Sequence, residues 1–363
     1  MVANPFKPTF GSPPPVLAGR DQMLASVMEG LDSGPGNPNR TTIFVGPRGS
    51  GKTVLLSALA SEASSRGWVA VEVTARAGLA EAIVEQTERK AAGLLDSPLR
   101  SRLSAVGGFG FSLGLAREPA RPKSWRAQVT DQLEQLAERG SGLLITIDEV
   151  DPDVAELVDL VADYQHLVRE GRQVALAMAG LPGHVLRTLT DRSISFVRRA
   201  YQRRLDNVSE AEAAYALRHT IEQAGGSVER DALDTLARFT GGFPFLIQLA
   251  GYHAWREARP AGAITLPAAR RAQAAATADM DQMILETTLA ELSPGDVAFL
   301  RAMAADEGPS RIGEVAARLG KSAANAGQYR RRLISAGVIE ARARGEVAFE
   351  LPLLRGYLLR HPA

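Results

Sequence analysis

The sequence TTIFVGPRGSGKT occupies residues 41–53 and joins an apolar run to a glycine-rich turn. Residues 46–53 fit the pattern G-x-x-x-x-G-K-[ST] without mismatch, and they lie between a predicted strand and a predicted helix, the context that this pattern requires. Glycines let backbone N–H groups turn inward around phosphates, and the positive end of the following helix points at them. The alternative is a structural turn with an accidental Lys-Thr pair. We predict an ATP-binding loop made of Gly46, Pro47, Arg48, Gly49, Ser50, Gly51, Lys52 and Thr53.

The loop predicts specific roles for its last two residues, and a second stretch supplies acidic partners. Lys52 is expected to reach the β- and γ-phosphates, and the Thr53 hydroxyl is expected to bind Mg²⁺. The apolar run at residues 143–147 ends in Asp148 and Glu149. We expect Asp148 to hold Mg²⁺ through water, and Glu149 to act as the general base or to orient the attacking water. Alternatively, the acidic pair is only a solvated strand end.

Strand-length apolar runs alternate with helical periodicity up to residue 205. This alternation predicts an α/β nucleotide domain with a parallel sheet covered by helices on both faces. Residues 1–19 are proline-rich, which predicts irregular structure, and residues 106–115 predict a hairpin or a mobile loop. The predicted strands are 41–45, 68–73, 143–147 and 174–179, and the predicted helices are 21–30, 53–66, 79–95, 125–139 and 152–170.

The composition of the 363-residue chain excludes several classes of protein. Hydrophobic residues make up 45% and charged residues 23%, and no apolar run approaches the ~20 residues that a membrane-spanning helix needs. The absence of cysteine excludes disulfide scaffolds, cysteine-type zinc fingers and thiol catalysis. Five histidines without a His-x-x-x-His pair argue against a histidine metal site. No secretory signal is predicted, and the cytoplasm is the expected location.

The second half of the chain changes pattern after Leu205. Helices are predicted at 209–224, 229–239, 244–258 and 267–292 with no strand between them. Two short helices with serine N-caps follow at 293–304 and 310–319, and a third at 322–336 ends before Gly337. Two strands around Arg344 and Gly345 complete a winged helix-turn-helix pattern. The predicted domains are 1–205 for ATP binding, 206–292 for a helical lid and 293–363 for the winged helix.

These features together resemble a known family. The glycine-rich loop, the acidic box at residues 148–151 and the helical segment after the sheet resemble an AAA+ ATPase. The winged-helix pattern narrows the resemblance to origin-recognition-type and archaeal-type ATPases and to the neighbouring STAND signalling ATPases. It covers the chain from about Val16 to its end.

The resemblance implies further site residues. Gly19 and Arg20 look like the Gly-Arg motif that lies near the adenine in that family, although an ordinary loop would read the same way. Arg198 and Arg199 follow the 174–179 strand, where such ATPases place an arginine finger, but they could form a solvated basic face. Pro244 resembles the lid proline that lies against the nucleotide, and it could equally be an ordinary helix start.

Two departures from the family pattern bear on the rate of hydrolysis. The 174–179 strand runs into Gly180, Leu181 and Pro182, without the polar sensor residue that AAA+ proteins usually carry. No arginine stands at the start of the helix that begins at Pro244, so the second sensor is also missing. Both departures favour a slow nucleotide switch over a fast motor.

The winged-helix region is basic. Residues 321–345 hold six cations and one anion, a net charge of +5 in a chain of net charge +1. Guanidinium groups on a recognition helix and at a wing tip can contact phosphates and base edges. The alternative is a protein-docking module. The predicted DNA-binding residues are Lys321, Arg330, Arg331, Arg332 and Arg344.

These observations predict a protein that binds ATP and Mg²⁺, hydrolyses ATP slowly and uses it as a conformational switch, coupled to double-stranded DNA through the winged helix. The alternative is a nucleotide-gated signalling or assembly scaffold that binds protein partners and no nucleic acid. A small-molecule kinase is disfavoured, because the second half offers no substrate pocket. The expected partners are ATP or ADP, DNA, and a homo-oligomer or another protein; no membrane association is expected.

Overall fold

The first part of the chain forms a parallel sheet of five strands, and the glycine-rich loop follows one of these strands. The computed structural model describes residues 3–9, 11, 13–92, 124–191, 194–258 and 263–362. The feature predicted at residues 106–115 lies outside the described residues. The strands are β1 (Thr41–Val45), β2 (Val69–Thr74), β3 (Leu143–Asp148), β4 (Val174–Gly180) and β5 (Tyr201–Arg204), in the order β2-β3-β4-β1-β5.

Helices cover both faces of the sheet, which confirms the predicted fold class. Successive strand residues point to opposite faces, so Ile43 joins one buried core and Phe44 the other. One face carries α1 (Asp21–Asp32) and α2 (Lys52–Ser65); the other carries α3 (Leu79–Ala91), α4 (Trp125–Ala137), α5 (Ala155–Arg169) and α6 (Pro182–Thr190).

The carboxyl ends of the strands meet at one edge of the sheet. The register pairs Val45 with both Gly180 and Arg204, and it pairs Thr74 with Asp148. Ligands of open parallel sheets bind beyond the carboxyl ends of the strands. This edge therefore positions the candidate site.

The sequence patterns do not reveal β5 and α6. Three of the four residues of β5 are exposed, and two of the four are arginines, so the strand lacks an apolar pattern. It is an edge strand that pairs only with β1 in the described part of the chain. Helix α6 starts at Pro182, and a proline in the first turn of a helix is read more easily as a loop.

The residues after β5 form a group of helices that we call the lid, and one expectation about it is wrong. Two short strands interrupt the helices: β6 (Ser227–Val228) and β7 (Ala263–Ile264) pair in parallel. Two-residue strands are too short to leave a periodic pattern. A π-helical turn, Asp281–Leu285, also divides the predicted 267–292 helix. The lid helices are α7 (Glu210–Gln223), α8 (Arg230–Thr240), α9 (Pro244–Glu257), α10 (Leu266–Met280) and α11 (Glu286–Ala290).

The remaining elements form a winged helix with a three-stranded sheet of order β8-β10-β9. The helix Ala323–Ser335 ends just before Gly337 (φ 68°), and Arg344 and Gly345 lie in a turn closed by a hydrogen bond from Glu346 N–H to the Ala343 carbonyl. The elements are α12 (Pro294–Ala304), β8 (Ser310–Arg311), α13 (Ile312–Arg318), α14 (Ala323–Ser335), β9 (Ile339–Ala341), β10 (Glu346–Phe349) and α15 (Leu354–Arg360).

One of the two predicted serine caps of the winged helix, at Ser293, is present, and Ser322 provides a cap that was not predicted. The side chains of Ser293 and Ser322 accept hydrogen bonds from the first turns of α12 and α14. The expected cap at Ser310 is wrong, because Ser310 lies in β8 and its hydroxyl donates to the Met303 carbonyl at 3.3 Å. None of the described helices is both long and apolar enough to cross a membrane.

Candidate nucleotide-binding site

The glycine-rich loop turns between β1 and α2 at the carboxyl edge of the sheet. Gly49 and Gly51 have φ angles of 78° and 88°, in the left-handed region that favours glycine. Lys52 is the first residue of α2, and its ammonium donates to the carbonyls of Gly46 at 3.0 Å and Pro47 at 2.7 Å. The loop thus wraps around the ammonium, as a phosphate cradle requires.

Burial dominates the electrostatics of Lys52. It lowers the pKa of the ammonium to about 8, an effect that Asp148 and Glu149 oppose and that Arg48 reinforces. A nearby anion favours the charged form of a buried lysine. The nearby carboxylates therefore do not fully compensate the burial of the Lys52 ammonium. A bound phosphate would supply the missing negative charge.

Thr53 and Asp148 meet at the end of β3. The Thr53 hydroxyl donates to Asp148 Oδ2 at 2.5 Å. Among the described residues, no group of three or more His, Cys, Asp or Glu side chains could hold a metal by itself. Mg²⁺ keeps several waters and is usually held by one or two carboxylates together with substrate phosphates. One hydroxyl and one carboxylate in contact fit a nucleotide-bound Mg²⁺, which would polarise the phosphate.

Glu149 has a strained backbone. Its φ of 54° is one of two positive values at non-glycine residues in the described chain, and such conformations cost of order 1–3 kcal/mol. The neighbours hold it in place: Asp148 accepts the Glu149 N–H at 2.8 Å, and the buried Val150 donates to the Ala179 carbonyl at 2.9 Å. The exposed carboxylate lines the cavity beside the loop, where a general base would stand.

A cavity of about 400 Å³ opens between the loop and the lid. Its polar side holds Lys52, Thr53, Asp148 and Glu149, and its other side is apolar. A mostly apolar slot beside a phosphate cradle suits a nucleotide base. The π-helical turn Asp281–Leu285 contributes part of the apolar side of the cavity. The helical periodicity of residues 267–292 did not indicate this. The apolar lining includes Val16, Leu17, Ala18, Pro244, Phe245, Ile247, Met283 and Ile284.

Pro244 and Arg20 line this cavity, as the family resemblance implies. Pro244 begins α9, whose second residue, Phe245, donates its N–H to the Gly49 carbonyl at 3.3 Å. The buried guanidinium of Arg20 donates to the Asp206 carbonyl at 2.7 Å. Burial lowers the pKa of Arg20, although Asp206 and Glu212 oppose the shift.

Gly19 does not line the cavity and instead permits a close approach. Its φ is 65°, and a Cβ at this position would lie 2.8 Å from the Val208 side chain. Glycine is therefore needed for the chain to pass α7 on its way to Arg20. Val16, Leu17 and Ala18, just before Gly19, line the cavity instead.

The two arginine-finger candidates differ in their contacts. Both lie in a 3₁₀ turn, Ser195–Arg199, before β5. The Arg198 guanidinium donates to the carbonyls of Leu189 at 2.8 Å and Thr190 at 3.4 Å, at the carboxyl end of α6. Both arginines are exposed, but the Arg198 guanidinium is engaged within its own chain by these contacts, so Arg199 is the stronger candidate.

The five predicted DNA-binding residues fall into two groups. The Arg332 guanidinium forms an ion pair with the buried Asp296 at 2.8 Å and lies 5.0 Å from the Tyr329 ring centroid, so it holds α14 against α12. Arg330 is half-buried, and its Nε has no hydrogen-bond partner in the described structure. Lys321, Arg331, Arg332 and Arg344 are all exposed, and of these four only Arg332 has an ion pair among the described residues.

The winged helix packs directly beside the glycine-rich loop. A Cβ on Gly337 would lie 3.2 Å from Pro47 Cα, and a Cβ on Gly183, in α6, would lie 2.4 Å from Ser335 Cβ. The carboxyl end of α14 therefore approaches the α/β domain at two glycines. No sequence pattern indicated this contact, because it joins residues far apart in the chain.

Ion pairs support this contact. Arg204, at the end of β5, pairs with Glu350 of the winged helix at 3.0 Å and with Glu340 at 3.8 Å. Burial raises the pKa of Glu350 to about 7, although Arg204 opposes the shift. Arg48 of the loop pairs with Glu291, just after α11, at 2.8 Å. The nucleotide loop and the winged helix are thus linked directly and through the lid.

Comparison with known proteins agrees with this geometry. Residues 16–178 match the AAA ATPase domain family, and residues 282–358 match a family described as a domain of unknown function, DUF8462. No curated protein matches the chain.

Solved structures share the fold over nearly the whole chain. A Walker-type ATPase of Pyrococcus abyssi is 15% identical with a TM-score of 0.64, covering 94% of this chain and 96% of that one. The ORC2 protein of Aeropyrum pernix, in its ADPNP–ADP complexes, is also 15% identical with a TM-score of 0.64, covering 97% and 95%. Cdc6p from Pyrobaculum aerophilum is 20% identical with a TM-score of 0.50, covering 97% and 96%.

Proposed function

We propose that this chain, whose residues 16–178 match the AAA ATPase domain family, hydrolyses ATP slowly, with Mg²⁺, and uses the nucleotide state to control DNA binding by its winged helix. Three parts carry this out: an ATP-binding domain (1–205), a lid (206–292) and a winged helix (293–363). The observation that carries the proposal is the packing of the winged helix against the loop at Pro47 and against α6 at Gly183.

The chemistry follows from the residues at the sheet edge. Backbone N–H groups of the loop and the Lys52 ammonium bind the phosphates, and Thr53 and Asp148 hold Mg²⁺. Glu149 accepts a proton from the water that attacks the γ-phosphate. β4 ends at Gly180, so no polar side chain lies there. A Cβ at this position would lie only 3.1 Å from Val150 Cβ, which leaves little room for a larger residue. Lacking that sensor contact, the site hydrolyses ATP slowly.

Coupling to the winged helix uses the same loop. Added phosphate charge competes with Glu291 for Arg48 and repels the half-buried Glu350, which lies close enough to Lys52 to affect its pKa. ATP therefore weakens the docked arrangement more than ADP does. A duplex seated along α14 would collide with α6 in the docked arrangement, because Ser335 contacts Gly183. Lys321, Arg331 and Arg344 are already exposed to solvent in the docked arrangement, and release gives a duplex room to reach them.

A glycine substitution tests this coupling directly. Gly183→Ala places a methyl group where Ser335 lies and should release the winged helix while removing no charge. Gly313→Ala is the matched control, because a Cβ there has open space. Fluorescence anisotropy with a DNA duplex should show tighter binding with ATP than with ADP in the wild type and the control. The Gly183→Ala protein should bind tightly in both states.

The proposed movement of the winged helix relative to the ATP-binding domain can be measured separately from DNA binding. The chain has no cysteine, so Glu138→Cys and Glu307→Cys, both at exposed sites, give one donor and one acceptor for energy transfer. The transfer efficiency should change when ATP replaces ADP. An unchanged efficiency in every nucleotide state would overturn the switch. If the efficiency changes but no duplex binds at low salt, the scaffold that binds protein partners replaces the DNA-binding function.

Assembly into a homo-oligomer completes the site. Arg199 is exposed, and an arginine supplied in trans stabilises charge on the transferring phosphoryl group. Arg199→Ala should lower hydrolysis without weakening ATP binding, and mixing it with the Glu149→Gln protein should restore some activity. A protein that stays monomeric at all concentrations and with every nucleotide would contradict this part of the proposal.

A further inference from the structure

Residues 4–9 lie along the lid helix α9 and are fixed to it by three contacts. The Asn4 side chain donates to the Tyr252 carbonyl at 3.0 Å, and the Lys7 N–H donates to Gln248 Oε1 at 3.1 Å. Between them, Phe6 is buried in the lid core with 2% of its surface exposed. This segment was expected to be irregular, and it is irregular yet firmly anchored.

The Phe6 ring packs against α9 at Gly251, the position that we call its seat. A Cβ at position 251 would lie 2.2–2.6 Å from three atoms of the Phe6 ring. Glycine is disfavoured inside a helix relative to alanine, and Gly251 lies in the interior of α9. The close approach of the Phe6 ring is a physical reason for a glycine there.

Beyond Phe6 the chain crosses the mouth of the nucleotide cavity. Lys7, Thr9, Gly11 and Pro14 all line it. Gly11 lies near the start of α2, since a Cβ there would be 4.0 Å from Thr53 Cγ2. The segment therefore reaches from the lid to the phosphate end of the cavity.

Lys7 brings a cation that the glycine-rich loop does not supply. It is one of only five lysines, it is exposed, and no salt bridge joins it to a carboxylate in the described part of the chain. The other cations of the cavity have partners: Arg48 pairs with Glu291, and Arg20 donates to the Asp206 carbonyl. The Lys7 ammonium is thus available to an anionic ligand.

We infer that residues 4–9 are a strap that retains bound nucleotide, with Phe6 as its anchor on Gly251 and Lys7 as a further positioning residue that contacts the nucleotide phosphates. The inference rests on the proposed binding of ATP. Release of the nucleotide then requires the strap to lift from α9. A strap that only completes the lid core would leave nucleotide release unaffected.

The experiment measures nucleotide dissociation from the full-length protein. A fluorescent ATP analogue is bound with Mg²⁺ and displaced by excess ATP in a stopped-flow instrument. Gly251→Ala, which pushes Phe6 out while favouring the helix, should speed dissociation by about tenfold, the scale of one lost charge-assisted hydrogen bond. Gly327→Ala is the matched control, since a Cβ there meets nothing within 4 Å.

Further variants separate the contribution of the Phe6 side chain from that of the Lys7 charge. Phe6→Ala combined with Gly251→Ala should dissociate no faster than the faster single variant, because both act on one seat. Lys7→Ala should also speed dissociation, and Lys7→Arg should restore most of the loss, whereas Arg230→Ala removes an exposed lid cation that does not line the cavity and should change nothing.

The outcomes distinguish this inference from the proposed function. If the wild type binds the analogue but Gly251→Ala and Lys7→Ala both dissociate within twofold of it, the strap is overturned and ATP binding stands. If the wild type gives no binding signal at all, both are overturned. Should Gly251→Ala fail to fold, the exposed Lys7 variants decide the matter alone.

Discussion

The glycine-rich loop and the winged helix both carry basic residues, but the structure treats the two sets differently. At the loop, Lys52 is half-buried and converges with Thr53 and Asp148 on one point. In the winged helix, Arg331 points into solvent while the adjacent Arg332 is tied to a buried carboxylate. The difference lies in what positions each group. A loop motif specifies a backbone conformation, whereas a run of arginines specifies only charge.

The largest expected effect tests the convergent site. Glu149→Gln keeps the shape of the side chain and removes its basicity, so turnover should fall by ~10²–10⁴ while ATP stays bound. Asp151→Asn is the matched control, because the Asp151 carboxylate pairs with Arg187 at 3.4 Å and holds α6 instead. Phosphate release is the measurement. Unchanged release from Glu149→Gln and lost release from Asp151→Asn would move the base to Asp151.

Lys52→Ala should weaken ATP binding by roughly a hundredfold or more, because it removes a desolvated cation aimed at the phosphates. Thermal melting with Mg-ATP reports this, since ligand at a hundredfold excess over Kd stabilises the folded state by about 2.7 kcal/mol. The wild type should show that shift and the variant should not. In the absence of nucleotide the variant should melt no lower than the wild type, since it no longer buries an ammonium. A wild type without any ATP-dependent shift would refute the site itself.

The sequence predicts the groups that a local motif positions better than the groups that distant contacts position. The loop and the Asp148-Glu149 pair were predictable because each needs a fixed spacing beside a buried strand. The strand β5 was not, since its exposed polar residues show no apolar alternation. The pairing of Arg332 with Asp296 joins two helices that are distant in sequence, and no local pattern encodes such a contact.

The junction between the two regions should respond to pH. Burial raises the pKa of Glu350 to about 7 in the docked form, where Arg204, Glu340, Asp206 and Arg342 surround it. A group whose pKa is raised on docking binds its proton more tightly in the docked form. Docking is therefore strongest at low pH and weakens as the pH rises through 7.

Energy transfer between labels at positions 138 and 307 checks this at pH 5.5 and 8. We expect the docking equilibrium of the wild type to weaken by roughly thirtyfold across that range, because about one and a half units of the pKa rise from 4.5 to about 7 are titrated there and one unit corresponds to a factor of ten. Glu350→Gln should remove the pH dependence. Arg204→Ala should weaken docking mainly at pH 8, where the carboxylate is charged and has lost its cation. Identical pH profiles in all three proteins would exclude Glu350 as the titrating group.

The smallest effect tests the winged helix residue by residue. Each phosphate contact releases about one counterion, so Arg331→Ala should make the slope of log K against log salt shallower by roughly one. Arg332→Ala should leave that slope unchanged, because its guanidinium is held by Asp296. It should instead destabilise the winged helix by roughly 1–2 kcal/mol, because the buried carboxylate loses its partner. The two arginines are neighbours on one helix, so equal effects on the salt slope would show that charge alone, and not position, decides DNA contact here.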